Sequence, residues 1–349
     1  MTSKLLLSIL LFSLLAIVNC TKKNSLPSSP EMEILPKQLT STGQDYKCYW
    51  APNNEYIAFL SARNTYDSNA CCIVSELWIM DRDGENQRSL ILVNEIYNTT
   101  DIKSVSWASN SNDMLVELIG YLPESKSEIW QVNINGNKNR LSSTDEIAQQ
   151  PSYSPDGTKI AFIIQNPNPL NYKLYVANTD LSDTLLIEKG FIGDYNWKSD
   201  SDGLIYSLFD DQNGSYDLWE SSSDGSVKTR ISDTPESEET FSCSNDDKYI
   251  AYSDWNALYY TPTNTFNPKY IIDNARLPQW IPNRNLILFL SEQSQDDMKF
   301  WTESWIVNLQ GNIIKKIAEG EASWTSFSST GDYYVYSVNG NIWLDYLSF

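Results

Sequence analysis

The chain has 349 residues, 41% of them hydrophobic, enough to bury the core of one large domain or two ordinary ones and too many for a disordered chain. Lys and Arg number 25 against 45 Asp and Glu, a net charge of −20 that would repel a nucleic-acid backbone. Histidine is absent, which excludes Ser-His-Asp catalysis, His-ligated zinc and the usual proton carrier near neutral pH.

The chain opens with Met1-Thr2-Ser3-Lys4, an apolar run from Leu5 to Val18, then Asn19-Cys20 and a polar stretch from Thr21. At ~1.5 Å per residue this run falls short of the ~30 Å hydrocarbon layer, so it reads as a secretion signal rather than a membrane span. Ile17-Val18-Asn19-Cys20 resembles a bacterial lipobox, with Asn19 standing where a small residue is usual. The resemblance implies that residues 1–19 are removed and that Cys20 is the lipidated N-terminus. The protein would then sit in the bacterial cell envelope, lipid-anchored to the outer membrane and facing the periplasm or the surface. Each buried methylene of the acyl chains would contribute ~0.8 kcal/mol to that anchoring. The alternative is an ordinary secretion signal in which Cys20 is incidental. Residues 20–32 read as a flexible tether. Cys48, Cys71, Cys72 and Cys243 could form one or two bridges in an exported protein, but their spacing does not choose the pairing.

Beyond the tether the chain repeats itself. The clearest copy is Tyr153-Ser154-Pro155-Asp156-Gly157-Thr158-Lys159-Ile160-Ala161-Phe162: an aromatic anchor, a Pro-Asp-Gly turn, and an apolar strand beginning seven residues after the anchor. The frame recurs at Trp50 with Ile57-Ala58-Phe59, at Trp107 with Met114-Leu115-Val116 and at Trp197 with Leu204-Ile205-Tyr206. It recurs again at Cys243 with Ile250-Ala251-Tyr252, at Trp280 with Ile287-Leu288-Phe289 and at Phe327 with Tyr334-Val335-Tyr336. Successive anchors lie 57, 46, 44, 46, 37 and 47 residues apart, the length of a four-stranded propeller blade rather than of a helical repeat.

A second element follows each frame in register: Leu77-Trp78, Ile129-Trp130, Leu174-Tyr175, Leu218-Trp219, Leu258-Tyr259, Ser304-Trp305 and Ile342-Trp343. Turn pairs such as Asp83-Gly84, Asn135-Gly136 and Asp224-Gly225 come next, followed by strands such as Arg140-Leu141-Ser142, Thr229-Arg230-Ile231-Ser232 and Lys315-Lys316-Ile317. Each repeat therefore predicts four antiparallel strands, A to D. The last copy stops before a D strand, and Glu33-Ile34-Leu35-Pro36-Lys37-Gln38-Leu39-Thr40, which looks like Arg140-Leu141-Ser142, can supply one and leave no open sheet edge. The expected fold is all-β: a seven-bladed β-propeller over residues 33–349, closed by its N-terminal strand. Six blades is the alternative, because the 57- and 37-residue intervals strain the average in opposite directions. The anchor and C-strand aromatics are expected to be core, filling the wedges between blades.

The Tyr153 copy, followed by Leu174-Tyr175-Val176, resembles the repeat of the TolB-like (WD-type) β-propellers, also found in the propeller part of prolyl-oligopeptidase relatives. The resemblance covers nearly the whole chain beyond the tether and implies blade geometry rather than chemistry. A prolyl-oligopeptidase reading would need a Gly-x-Ser-x-Gly elbow, which no glycine opens. Propellers that degrade polygalacturonate resemble this fold too, but rely on histidine ligands absent here.

Phosphate loops and Cys-x-x-Cys zinc pairs are missing, so no cofactor and no metal are expected. Adjacent acids such as Asp145-Glu146, Asp246-Asp247 and Asp296-Asp297 read as solvated loop acids. Ligands of propellers gather at the rim where the D–A and B–C loops meet the central channel. Three or four residues before each anchor, that rim would carry Lys47, Lys103, Gln150, Asp194, Glu239, Arg276 and Trp324, overhung by B–C insertions at Ser61 to Ser75 and Ser291 to Thr302. The expected function is a monomeric, non-enzymatic scaffold with no catalytic residues, bound to the membrane only through its anchor, whose rim takes an envelope protein or peptide. The alternatives are a carboxylate-based glycosidase or polysaccharide lyase, which needs two acids across the channel mouth, and a cation-dependent sensor.

Overall fold

In a computed structural model of the chain, the described residues are 36–64, 74–92, 95–96, 100–120, 126–143, 146–167, 170–254, 256–296, 299–318 and 322–347. All of them belong to one compact unit, Leu35–Phe349. The expected secretion signal, the lipobox-like stretch with Cys20, the expected tether, the Cys71-Cys72 pair, Asp145 and Asp297 lie outside the described residues.

Seven four-stranded antiparallel sheets follow one another, and among the described residues there is no helix. The A strands are Asp45–Trp50, Thr100–Trp107, Ile147–Tyr153, Ile192–Trp197, Thr240–Cys243, Arg276–Trp280 and Ala322–Phe327, so every one ends on its predicted anchor. Six blades are continuous in the chain. The seventh takes Ala322–Phe327, Tyr333–Val338 and Asn341–Tyr346 from the C-terminal end and Lys37–Gln38 from the N-terminal end, with Lys37 paired to Leu344 and Gln38 to Trp343. The ring is therefore seven-bladed and closed by its own first strand.

The closing strand repeats a device found inside the other blades. In blade 2, Leu141 and Ser142 both donate their N–H to the carbonyl of Ile129 (2.9 and 3.3 Å) while Ser142 Oγ accepts from Ile129 N at 2.9 Å. In blade 4, Ile231 and Ser232 clasp Leu218 in the same way. At the closure, Leu39 and Thr40 donate to Ile342 O (2.8 and 3.3 Å) and Thr40 Oγ1 accepts from Ile342 N at 2.9 Å. The sequence likeness between the Leu39-Thr40 pair and the D strands thus reflects two adjacent main-chain N–H groups sharing one carbonyl while the second residue's hydroxyl accepts from the same partner's N–H. The D strands end slightly earlier than their sequence suggested, at Arg140, Arg230 and Lys316, because the following residues turn to make this clasp.

The A–B turns explain how degraded copies of the motif keep their shape. Where Gly157 and Gly331 take a left-handed φ of 73°, the equivalent positions are Asn54 (62°), Ser111 (55°), Ser201 (64°) and Asp247 (55°), with Asn283 (56°) one residue early in blade 6. Short polar residues tolerate this region, and neighbouring turns are tied together across blades. Asn53 N donates to Ser111 Oγ at 2.9 Å, Asp156 N to Ser201 Oγ at 3.0 Å, and Ser199 N to Asp247 Oδ2 at 2.8 Å. Asp246-Asp247 is consequently turn chemistry, as expected of loop acids. Asp246 is held down at about 2 by Lys248 and Ser244.

The buried apolar side chains form seven clusters, one in each wedge between adjacent blades. Trp50, Tyr153, Trp280 and Phe327 are buried anchors, as expected. The C-strand aromatics are only half-buried, which refines the expectation. The buried aliphatic residue before six of them, from Leu77 to Ile342, fills the wedge, with Ser304 in that place in blade 6, and three of the rings lie under a cation. Arg63 lies 4.2 Å over Trp78, Arg230 5.9 Å over Trp219 and Lys316 5.3 Å over Trp305. The acid two residues before the ring completes the arrangement: Trp78 Nε1 donates to Glu76, Trp130 Nε1 to Glu128, and Arg230 pairs with Asp217 at 2.6 Å.

Candidate functional site

The A strands are the innermost strand of each sheet, and residues just before the anchors link one blade to the next. Trp50 N donates to Ser326 Oγ and Trp280 N to Ser242 Oγ, both at 2.9 Å, and Trp107 Nε1 donates to Tyr49 O at 3.0 Å. This belt fixes the channel wall and positions what stands above it.

Above the belt, strand A carries a register shift in six blades: between Tyr46 and Cys48, Ile102 and Ser104, Gln149 and Ser152, Ile192 and Tyr195, Arg276 and Gln279, and Ala322 and Trp324. A bulge leaves a residue unpaired and turns the strand, re-aiming side chains at the edge of a sheet. Lys47, Lys103, Gln150 and Asp194 occupy such bulges. Trp324 is the first paired residue after one, and Arg276 the last before one, where exposed Leu277 takes the bulge itself. Glu239 directly precedes the unbulged strand of blade 5. Of the residues counted back from the anchors, Lys47, Lys103, Gln150 and Asp194 thus fall in bulges, and Leu277 was not among those counted. Lys47, Gln150 and Leu277 hold left-handed φ values of 44°, 50° and 49° without being glycine or asparagine, which only a well-determined surrounding can impose.

Hydrogen bonds and ring contacts join the rim residues into two arcs. On blades 7, 1 and 2, the Lys47 ammonium lies 5.3 Å over the Trp324 ring and donates to Lys103 O at 3.3 Å, while Tyr49 packs on Trp324 with centroids 5.6 Å apart. Burial, and after it repulsion from Lys103, lowers the Lys47 pKa from the ordinary lysine value. On blades 3 to 5, Tyr195 OH donates to Gln150 O and to Ala161 O. Asp194 N donates to Ser207 Oγ at 2.9 Å, and that hydroxyl donates to Glu239 O at 2.8 Å. Burial pushes the Asp194 carboxyl up to about 7 and raises Glu239 as well. Arg276 stands apart, paired with Glu292 at 2.6 Å.

A further feature of this rim escaped the sequence reading. Tyr172, Phe191, Phe209 and Tyr216 form a continuous row with centroid separations of 6.1, 6.4 and 5.2 Å, and Phe191 is exposed. Phe209 and Tyr216 pair across the B–C hairpin of blade 4, so aromatics just inside a hairpin tip were the available signal. In the Ser291 to Thr302 insertion, Leu286–Asp296 and Lys299–Asn308 pair as a long hairpin. The middle of the Ser61 to Ser75 insertion, residues 65–73, lies outside the described residues.

Cys48 and Cys243 carry free thiols, and burial holds both well above the ordinary thiol range. Among the described residues no group of three or more Cys, Asp or Glu side chains is placed to hold a metal ion.

A closed ring of seven antiparallel blades with a polar, bulged inner rim defines a TolB-like β-propeller in fold. Among solved structures, TolB from Acinetobacter baumannii matches with a TM-score of 0.52 at 17% identity, covering 80% of this chain and 65% of the TolB chain. The chain thus spans somewhat less than two thirds of TolB. An oligogalacturonate lyase solved in complex with manganese gives a TM-score of 0.68 at 10% identity over 89% of this chain and 92% of the lyase. A chain of a mitotic checkpoint complex gives 0.61 at 11% identity over 92% and 98%. At these identities the likeness is one of fold. No protein-family model matches the sequence, and no curated protein matches it.

Proposed function

We propose that this protein is a lipid-anchored scaffold of the bacterial cell envelope that binds a protein or peptide on its channel rim without catalysing a reaction. The observation that carries the reading is the bulged rim itself: bulged inner strands carry Lys47, Lys103, Asp194, Leu277 and Trp324, and Glu239 precedes the unbulged strand of blade 5. Mixed charge beside exposed aromatic and aliphatic surface suits a polypeptide partner. The lipobox-like Cys20 supports the anchor and the envelope address, and the fold shared with a chain of a mitotic checkpoint complex is in keeping with assembly through a propeller. Pull-downs from detergent-solubilised envelopes should lose a partner when Glu239, Arg276 and Trp324 are all replaced by alanine. An unchanged partner profile from a folded variant would overturn the rim as the binding surface. Radiolabelled palmitate should be incorporated by the wild type and not by Cys20→Ala.

One observation favours a second reading, a carboxylate enzyme acting on an extracellular polysaccharide. Burial raises the carboxyls of Asp194 and Glu239, on neighbouring blades whose main chains Ser207 bridges, as a general acid requires. Turnover of a polysaccharide that is abolished by Asp194→Asn would establish it.

A further inference from the structure

The aromatic row on blades 3 and 4 differs from the packing rings between blades. Phe191 is 40% exposed and Tyr172, Phe209 and Tyr216 are half-buried, so the row forms a continuous strip of accessible ring. Successive rings meet at 60°, 83° and 66°, which offers edges and faces in turn rather than a flat platform. Other rings carry a cation of the same chain, as Trp78 carries Arg63 at 4.2 Å and Trp324 carries Lys47 at 5.3 Å. Among the described residues no cation lies over any of the four rings of the row. Lys173 and Lys189 are cross-strand partners one place along from the Tyr172–Gly190 pair, so the alternation of the pleat sends them to the other face of the sheet.

An acid stands beside this row. The N–H of Glu238 donates to Tyr216 O at 2.9 Å, which brings Glu239 alongside the blade 4 hairpin. The stem of Glu239 lies against Gly193, two residues beyond Phe191: a methyl on that glycine would stand 2.9 Å from Glu239 Cγ and 2.8 Å from Ser207 Oγ. Burial, and after it the Glu239 charge, raises the Tyr216 phenol above its ordinary value. We propose that the aromatic row and Glu239 form a subsite for an arginine-bearing segment of a bound polypeptide, the guanidinium held by the carboxylate and the rings and the neighbouring apolar side chains laid along Phe191. Charge complementarity argues for a basic segment, since a chain of net charge −20 attracts cations over its whole surface and the row adds the contacts that select among them. A guanidinium stacks on aromatic faces and pairs with a carboxylate in one geometry, which an ammonium does less well. The steep angles between rings argue against a saccharide, which needs a flat face on which to stack.

This inference rests on the rim being a polypeptide-binding surface, and the test separates the two. Binding of acetyl-Ala-Leu-Arg-Leu-Arg-Ala-amide to the full chain in detergent is followed by calorimetry, against the same peptide with citrulline, a neutral isostere, in place of both arginines. The arginine form should bind about tenfold more tightly or better. Phe191→Ser/Glu239→Gln, which alters one exposed ring and one charge, should lose most of that preference, and Phe191→Tyr should keep it. Asp180→Asn/Asp224→Asn, which neutralises two exposed turn acids away from the row, should also keep it. Equal binding of the two peptides, a preference surviving in Phe191→Ser/Glu239→Gln, an equal loss in the turn variant, or tighter binding of a neutral oligosaccharide than of the arginine peptide would overturn the subsite. An envelope partner lost on Glu239, Arg276 and Trp324 replacement but retained by Phe191→Ser/Glu239→Gln would overturn this inference alone; a partner retained by both would remove the rim reading beneath it.

Discussion

Ring closure rests on two residues, and their removal can be followed closely. Leu39 is 7% exposed and packs among Trp50, Ile57, Phe59, Met80, Val335, Ile342 and Leu344, in the wedge where the first and last blades meet. Truncating such a leucine to alanine costs about 2–5 kcal/mol, counting lost transfer energy and residual cavity. Thr40→Val keeps the shape but removes the acceptor of Ile342 N, leaving a buried amide without that bond at a cost of about 1–3 kcal/mol. The two sites touch the same residue, so their effects will not simply add, and about 3–6 kcal/mol is expected for Leu39→Ala/Thr40→Val. Urea denaturation followed by tryptophan fluorescence reads the loss. Limited proteolysis reads its location: cleavage near residues 36–44 should precede global unfolding in this variant. Leu141→Ala/Ser142→Ala, which breaks the same clasp inside a blade continuous in the chain, serves as control and should not release the N-terminal segment. An unchanged urea midpoint in the closure variant, or early N-terminal cleavage in both variants, would refute the argument that the first strand latches the ring.

Three other expectations follow from single groups. Arg230→Met strands the wholly buried Asp217 without its cation and should cost about 3–5 kcal/mol by urea titration, with much of it recovered in Asp217→Asn/Arg230→Met; a neutral single variant would show the pair to be unimportant. Gly340, at φ 68°, faces the carbonyl oxygen of Gly43, so a methyl there meets both a steric block and a left-handed penalty; Gly340→Ala should lower stability by more than ~1 kcal/mol, and an unchanged melting temperature would contradict it. Asp194 titrates near 7 in the fold against 3.8 in the unfolded chain, so between those values the folded state holds the proton and the unfolded state does not; its contribution therefore weakens as pH rises from about 4 to about 7. Asp194→Asn should raise stability at pH 8 and leave it unaltered at pH 4, as measured by urea midpoints at the two pH values.

Much of the architecture was legible because blades are local. Each is a run of consecutive hairpins, so the frame from Tyr153 to Phe162 states its own strand, turn and strand, and five of the six weaker copies keep the frame because Asn, Ser or Asp can occupy the left-handed position of Gly157. Even closure, the one long-range pairing, could be read from the likeness of Gln38-Leu39-Thr40 to Arg140-Leu141-Ser142. The rim was legible only as a position. Counting back from the anchors finds Lys47, Lys103 and Gln150, but a bulge is a mismatch between paired strands, so Leu277 at the bulge of blade 6 was passed over for Arg276.

By itself, then, the sequence pointed to seven blades with six left open, to the order of strands and to the latch, since these follow from hydrophobic period and turn chemistry along a contiguous stretch. Only the tertiary structure decided which side chains meet. Trp324 covers Lys47 from the far end of the chain, the Lys47 ammonium reaches the Lys103 carbonyl in the next blade, and the Ser207 hydroxyl joins the main chains of Asp194 and Glu239. These meetings arise from curving seven sheets around one axis, which brings residues tens to hundreds of positions apart within a few ångströms, and no local pattern encodes that curvature.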